Sequence, residues 1–285
     1  MMRNNDFAAF IMTHGRADRV YTYNTLRKSG YTGKIYIVID DEDKTADEYR
    51  KRFGDEVVMF SKAEAEKTFD VGDNFSDRRT VVFARNAVFE IAKNLGIKYF
   101  VELDDDYEQF RFKFDGNLLY KDKNIKSLDR IFDAIVDFYK KTPAKAIAIA
   151  QGGDFVGGAA GSFGKQIKLH RKAMNAFFCS TDRPFKFSSR INEDVVTYTS
   201  NASRGDLFFT IPNVMLNQKS TQSNAGGMTD IYLDLGTYPK SFYSVIFCPS
   251  AIKIALMGQT SKRIHHKVKY NHCCPKILNE KYRKE

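Results

Sequence analysis

Four short apolar runs within the first 103 residues constrain this chain more than any other feature. Phe7–Met12 leads into Thr13-His14-Gly15-Arg16, Ile35–Ile39 ends at Asp40-Asp41, Val57–Phe60 is the third, and Tyr99–Leu103 runs straight into Asp104-Asp105-Asp106. Each is too short for a helix and almost wholly apolar, with Glu102 the one charge inside the fourth; the first two read as buried strands and the other two as strands. The intervening stretches read as helices. Val20, Tyr23 and Leu26 recur at helical spacing, with Asp18 placed to cap them and Gly30 to stop them; Lys44–Phe53 is polar; Arg79–Leu95 is long and ends at Gly96. Strands alternating with helices predict βαβ units and a parallel sheet. In such sheets the functional loops gather at the carboxyl ends of the strands, where Thr13–Arg16, Asp40–Asp41 and Asp104–Asp106 all fall.

The second half is less regular. Leu128–Lys141 has the pattern of an amphipathic helix, Ile147–Ala150 of a buried strand, and 152–164 is a loop with six glycines. Phe177–Cys179 and Leu207–Ile211 read as strands with a helix near Glu193–Ser200 between them; Ser220–Met228 is a polar loop, and a basic tail begins at Tyr270. Neither a repeat nor a Pro- or Ser-rich linker interrupts the chain, so one continuous α/β domain is expected: a mostly parallel central sheet, helices on both faces, and a basic C-terminal tail.

Composition narrows the class. No apolar run approaches the roughly 20 residues of a membrane-spanning helix, because Lys145 and Lys253 break the best candidates. The start, Met-Met-Arg-Asn-Asn-Asp, is too polar for a signal peptide, and four cysteines do not make a disulfide scaffold, so a reducing, cytoplasmic setting is expected. No protein partner is inferred. The net charge of +10 is uneven. Residues 240–285 hold ten Lys/Arg against Glu280 and Glu285, and 161–190 hold seven against Asp182, leaving the remainder slightly acidic. Two basic zones fit a polyanionic partner; solvated surface helices and a loose tail would give the same count.

The strongest chemical motif is the acidic triplet after the fourth strand. Adjacent carboxylates repel one another, which makes little sense unless a cation shares the site, and hard oxygen ligands suit Mg²⁺ or Mn²⁺ held together with substrate phosphates. A helix cap needs one such Asp rather than three.

The block from Arg79 through Ala84-Arg85-Asn86 to Asp104-Asp105-Asp106 resembles the core of GT-A glycosyltransferases. The resemblance implies a nucleotide-sugar donor half at 1–110, an acceptor half at 111–270 and a tail at 271–285. Asp104 and Asp106 would be the DxD pair holding Mn²⁺ (or Mg²⁺), with Asp105 beside it. Arg85 would lie near the nucleotide, and Thr13, Arg16 and Asp40 would face uracil and ribose of a UDP-sugar. Arg190-Ile-Asn-Glu193-Asp194 resembles the family's second acidic motif, whose carboxylate deprotonates the acceptor hydroxyl. Asp194 would be that base, with Glu193 the second choice; a helix start capped by Asn192 explains the same acids. Either His265 or His266 would supply a late metal ligand. His272, Cys273 and Cys274 follow, but their spacing matches no common zinc module.

Across its length the chain is similar to the TET-associated glycosyltransferases, a mostly phage-encoded group that glycosylates 5-hydroxymethylpyrimidines in DNA. The similarity rests on Thr13–Arg16, Arg85–Asp106, Asn192–Asp194 and His265-His266 with Pro275-Lys276-Ile277. It implies DNA as acceptor, with the basic zones neutralising phosphates. Phe177, Phe178, Phe185, Phe187 and Tyr243 are placed either to stack on a displaced base or to fill a Phe-rich core, and the core is expected. The glycine-rich loop serves as a close approach to the acceptor, a lid, or a tolerant surface loop. The rival functions are a GT-A enzyme for polysaccharide or protein acceptors, a non-catalytic DNA-binding GT-A scaffold, and a nucleotidyltransferase on a similar sheet.

Overall fold

A computed structural model describes residues 2–117, 119–152, 172–174, 176–219, 231, 233–234, 238–257 and 262–274. Most of the glycine-rich loop, the 220–228 loop, the 161–171 part of the first basic zone and the 275–285 tail lie outside the described residues.

The chain alternates as its pattern predicts: β1 (Phe7–Met12), α1 (Tyr21–Lys28), β2 (Lys34–Asp40), α2 (Ala46–Phe53), β3 (Val57–Phe60), α3 (Lys62–Glu66), α4 (Val82–Asn94) and β4 (Tyr99–Asp104). The strands β3-β2-β1-β4 lie side by side and parallel. Then follow β5 (Tyr107–Phe114), β6 (Tyr120–Asn124), α5 (Leu128–Lys140), β7 (Ala146–Gln151), β8 (Phe177–Ser180), α6 (Glu193–Ala202) and β9 (Phe208–Gln218). They complete a nine-stranded sheet in the order β3-β2-β1-β4-β8-β7-β9-β5-β6. Seven strands run one way; β5 and β8 run against them. The chain continues through α7 (Pro239–Phe247) to a separate antiparallel hairpin, β10 (Ile252–Met257) and β11 (Arg263–Val268), and a short turn of helix α8 (Tyr270–Cys273).

Alternation along the buried strands divides the core into two layers. Phe7, Ala9, Ile11, Ile37 and Leu103 face α1, α2 and α5, where Phe132 packs edge-on against Phe7 and Phe178. Ala8, Phe10, Met12, Val38 and Phe100 face α4 and α6. Helices therefore cover both faces, as expected of a sheet apolar on both sides. Each fully buried Phe or Ile contributes about 1.5–3 kcal/mol. Phe177, Phe178, Phe185 and Phe187 all lie in this interior, and Tyr243 packs with Ile191 and Ile231 in a smaller cluster of its own; none is more than 8% exposed, so they are core, not base-stacking platforms.

Several boundaries differ from the periodicity. Asp18 does not cap α1: the helix starts at Tyr21 after Val20, and Asp18 pairs with Arg19 instead. Gly30 does close the turn; its φ is +86°, and a Cβ there would sit 2.3 Å from the Lys126 carbonyl oxygen. Strands β5 and β6 were not evident because Arg111, Lys113, Lys121 and Lys123 break the apolar pattern. Lys113 is nevertheless fully buried and donates to the Gln151 carbonyl. The hairpin and α7 fall in a stretch, between the Ser220–Met228 loop and Tyr270, to which the periodicity assigns no element.

Candidate active site

The carboxyl ends of β1, β2 and β4 converge as the parallel topology requires. The 13–16 loop is fastened there from three sides. Thr13 Oγ1 donates to Asp105 Oδ2 at 2.7 Å and lies 2.8 Å from the Tyr49 hydroxyl; Arg16 Nη1 reaches Asp105 Oδ1 at 3.1 Å, and its backbone N–H meets Tyr49. His14 Nδ1 is 2.7 Å from Asp40, and the Gly15 amide donates to Asp43. Burial works against the Asp40 carboxylate, yet His14 and Lys62, 3.3 Å away, hold it below the ordinary range; the Asp40 hydrogen bond raises His14 in turn. Of these supporting groups Tyr49, Asp43, His14 and Lys62 were not picked out in the sequence. Asp43 sits three residues past the end of β2, where acids gather, a signal within reach; Tyr49 and Lys62 on helices had none.

The acidic triplet splits into three roles. Asp105 is buried beneath the 13–16 loop, and desolvation raises it despite Arg16 and Thr13. Asp104 is the partly open one, with 28% of its side chain exposed, accepting from Arg85 Nη2 at 2.8 Å and from the Tyr107 hydroxyl at 3.3 Å. Asp106 has one buried carboxyl oxygen without a hydrogen-bond partner, and burial followed by Asp104 and Asp105 pushes it up to about 7. An unpartnered carboxyl oxygen among repelling acids is the environment a cation relieves, so the residues fit a divalent ion.

Arg85 lies under this site, not open to it. Its side chain is only 2% exposed and is flanked by the rings of Phe177 and Phe187. The guanidinium joins Asp104 at the end of β4, Glu193 at the start of α6 (3.1 Å) and Glu102 within β4 (3.6 Å). Three carboxylates around one buried cation cannot all ionise cheaply, and Glu102, wholly buried with neither oxygen hydrogen-bonded, is pushed up to about 8. The neighbouring Asn86 exchanges hydrogen bonds with the backbone of Phe187, accepting from its N–H at 2.9 Å and donating to its carbonyl at 2.9 Å. The Arg85-Asn86 pair therefore clamps the 187–193 segment onto α4.

That segment carries the second acidic motif. Arg190, 3% exposed, grips Asp73 with two 2.9 Å bonds, and Tyr243 donates to the same carboxylate. Asn192 stands at the start of α6 with φ +63°, but its side chain does not cap the helix; it turns to Ser244 and to His266 Nδ1, 3.4 Å away. Glu193 is engaged by Arg85, whereas Asp194 accepts from the Val195 amide at 2.7 Å. Burial, then the negative charge of Glu193, raises Asp194 above the usual carboxylate range.

The expected histidine ligand is not brought to the triplet. Among the described residues no three His, Cys, Asp or Glu side chains are grouped to hold a metal. His265 and His266 sit on β11, outside the main sheet, and His266 lies on the Asn192–Asp194 side, where burial, then the neighbouring His265, Lys240 and Lys172, hold it down at about 4.

Two solved structures of S. aureus TarS are similar to the chain at low identity. The chain is 11% identical to TarS 1-349, with 85% of this chain and 70% of that one covered and a TM-score of 0.42. For a second TarS structure the identity is 10%, the coverage 85% of this chain and 42% of that one, and the TM-score 0.45. No curated protein matches the sequence. The model of the TET-associated glycosyltransferase family matches residues 7–227, and the chain belongs to that family.

Proposed function

We propose that this protein transfers a sugar from a UDP-sugar to the hydroxymethyl group of 5-hydroxymethylcytosine, or another 5-hydroxymethylpyrimidine, in DNA. The observation that carries the reading is the buried Arg85 strut, which ties a donor-side acid, Asp104, to the segment that places Asp194. A transferase needs a diphosphate site and a base for the incoming hydroxyl at a fixed separation, and one guanidinium bonded to both segments holds it.

On the donor side, Asp104 and Asp106 would hold Mn²⁺ or Mg²⁺, which when bound neutralises the departing diphosphate. The 13–16 loop, pinned by Tyr49, Asp105 and Asp43, lies where the nucleoside is expected, with Asp40 oriented by His14 and Lys62. On the acceptor side, Asp194 is the base. Glu193 is committed to Arg85, and Asp194 is oriented by the Val195 amide and raised by burial toward the range in which a carboxylate takes a proton near neutral pH. A base at that position favours inversion at the anomeric carbon. Family membership and the basic 240–274 segment beside α6 support DNA as the acceptor.

The test is mass spectrometry of digested nucleosides after incubating the protein with hydroxymethylcytosine-containing DNA, Mn²⁺ and a panel of UDP-sugars. A hexose or pentose increment on a hydroxymethylpyrimidine is expected. UDP release with a polysaccharide or protein acceptor, and no increment on any hydroxymethylpyrimidine, would overturn the DNA assignment. No nucleotide-sugar turnover at all would favour a non-catalytic scaffold.

A further inference from the structure

The β10–β11 hairpin stands apart from the main sheet and has two unlike faces. In an antiparallel pair, directly opposed residues point to the same side. One side carries Ile252 opposite Val268 and Ile254 opposite His266. Ile252 is buried in the core layer under α4 and α6, and His266 meets Asn192, so this side adjoins the catalytic segment. The other side carries Lys253 opposite Lys267 and Ala255 opposite His265, with Arg263 further along the same side of β11. Lys253, Arg263 and Lys267 are exposed, neither strand contains an acidic residue, and none of the three cations pairs with a carboxylate among the described residues.

This arrangement works against the hairpin on its own. Like charges directly opposed across a pair destabilise it by up to about 1 kcal/mol, and at exposed positions almost any other residue would serve the fold better. The cost is relieved when a polyanion lies along the face. Lys267 and Arg263 are four residues apart on one strand, a span of about 13 Å, which matches roughly four phosphates at the rise of one DNA strand. The positive line also leads toward the chemistry, since Arg263 and Asp194 both act electrostatically on Lys240.

We propose that the outer face of the β10–β11 hairpin, through Lys253, Lys267 and Arg263, docks the phosphate backbone of the acceptor DNA while its inner face abuts the segment bearing Asp194. The proposal rests on DNA being the acceptor and adds where the duplex is held. None of the three side chains touches the Asp104, Asp106 or Asp194 carboxylates, so they set binding and not the chemical step.

The experiment compares wild type with the triple variant Lys253→Gln/Arg263→Gln/Lys267→Gln, and with Lys253→Gln alone in case the triple variant does not fold. Binding to a hydroxymethylcytosine-containing duplex is followed by fluorescence anisotropy across salt concentration, alongside Tm and hydrolysis of UDP-sugar without DNA. Each lost phosphate contact lowers the slope of log K against log salt by about 0.9. The triple variant is expected to lose 2–3 in slope, so that between 50 and 200 mM salt wild-type affinity falls about 40-fold more than the variant's. Lys253→Gln is expected to lose about 1. Tm holds or rises, because the Lys253–Lys267 repulsion is gone, and DNA-free hydrolysis is unchanged. A merely structural role would lower Tm and leave the slope alone. If wild type binds DNA steeply and folded variants keep the same slope, the hairpin assignment is overturned while the acceptor reading stands. If wild type neither binds DNA nor adds sugar to it, both are overturned.

Discussion

Replacing Glu102 by Gln removes one ionisable proton site from the centre of the sheet while keeping its shape. Glu102 is wholly buried, neither of its oxygens has a hydrogen-bond partner, and its one nearby cation, Arg85, is 3.6 Å away. Burial wins over that attraction, so the folded carboxyl titrates at about 8 against 4.5 when unfolded. The sign follows from linkage. Between those values the folded state holds a proton that the unfolded chain has released, so the stability it confers is complete below about 4.5 and is lost as pH rises through about 8. At about 1.4 kcal/mol per pH unit, with levelling above the folded value, going from pH 6 to 9 costs wild type about 3 kcal/mol through this group. The Gln variant lacks that loss. Other raised acids such as Asp106 are common to both proteins and cancel in the comparison. At about 2–4 °C per kcal/mol for a chain of this size, the wild-type Tm is expected to fall about 5–10 °C more than the variant's over that range. Calorimetry is the suitable assay, because the chain has no Trp to report unfolding. Transfer activity at pH 7 is expected to persist, since a protonated Glu102 already leaves the guanidinium to Asp104 and Glu193. Parallel Tm curves for the two proteins would refute the reasoning and mean that Glu102 is ionised and shares Arg85.

Arg85→Met is expected to cost about 3–5 kcal/mol, the price of leaving buried acids without their cation, measured as a fall in Tm together with loss of transfer. Asn86→Ala removes both side-chain bonds to the Phe187 backbone; about 1–3 kcal/mol of destabilisation in denaturant titration is expected. Asp194→Asn is expected to lower kcat about 10²–10⁴-fold with DNA affinity kept, and the pH dependence of wild-type kcat should show a base titrating above the usual carboxylate range. Asp106→Asn is expected to abolish transfer without changing DNA binding; full activity in that variant would show that the acidic triplet is not the donor site.

Much of the first 110 residues was legible because it is local. Runs as short as Phe7–Met12 and, but for Glu102, Tyr99–Leu103 are satisfied as buried strands, and the loops that follow them, Thr13–Arg16 and Asp104–Asp106, had to lie at one edge of a parallel sheet. The triplet itself gave three candidates but not their division of labour. Asp105 is turned under the 13–16 loop by Thr13 and Arg16, and Asp104 is held by Arg85 and Tyr107. Adjacent residues of one type differ only in what folds against them. The same holds for Asn192, whose place before two acids reads as a cap but whose side chain is drawn to Ser244 and His266 on later elements.

What the sequence determined by itself was whatever depends on neighbours within about ten residues: the strand and helix alternation, the turn at Gly30, the acidic strand end, and the charge of the 240–274 segment. Only the tertiary structure decided which distant residues share a charge. It carries Arg85 from a helix read as facing the nucleotide to a buried position among Glu102, Asp104 and Glu193, and sets His266 beside Asn192. It also opposes Lys253 and Lys267 across one hairpin. The physical reason is that a carboxylate's or cation's behaviour is set by burial and by charges a few ångströms away, and those distances are made by sheet order and strand register, which spacing along the chain does not encode.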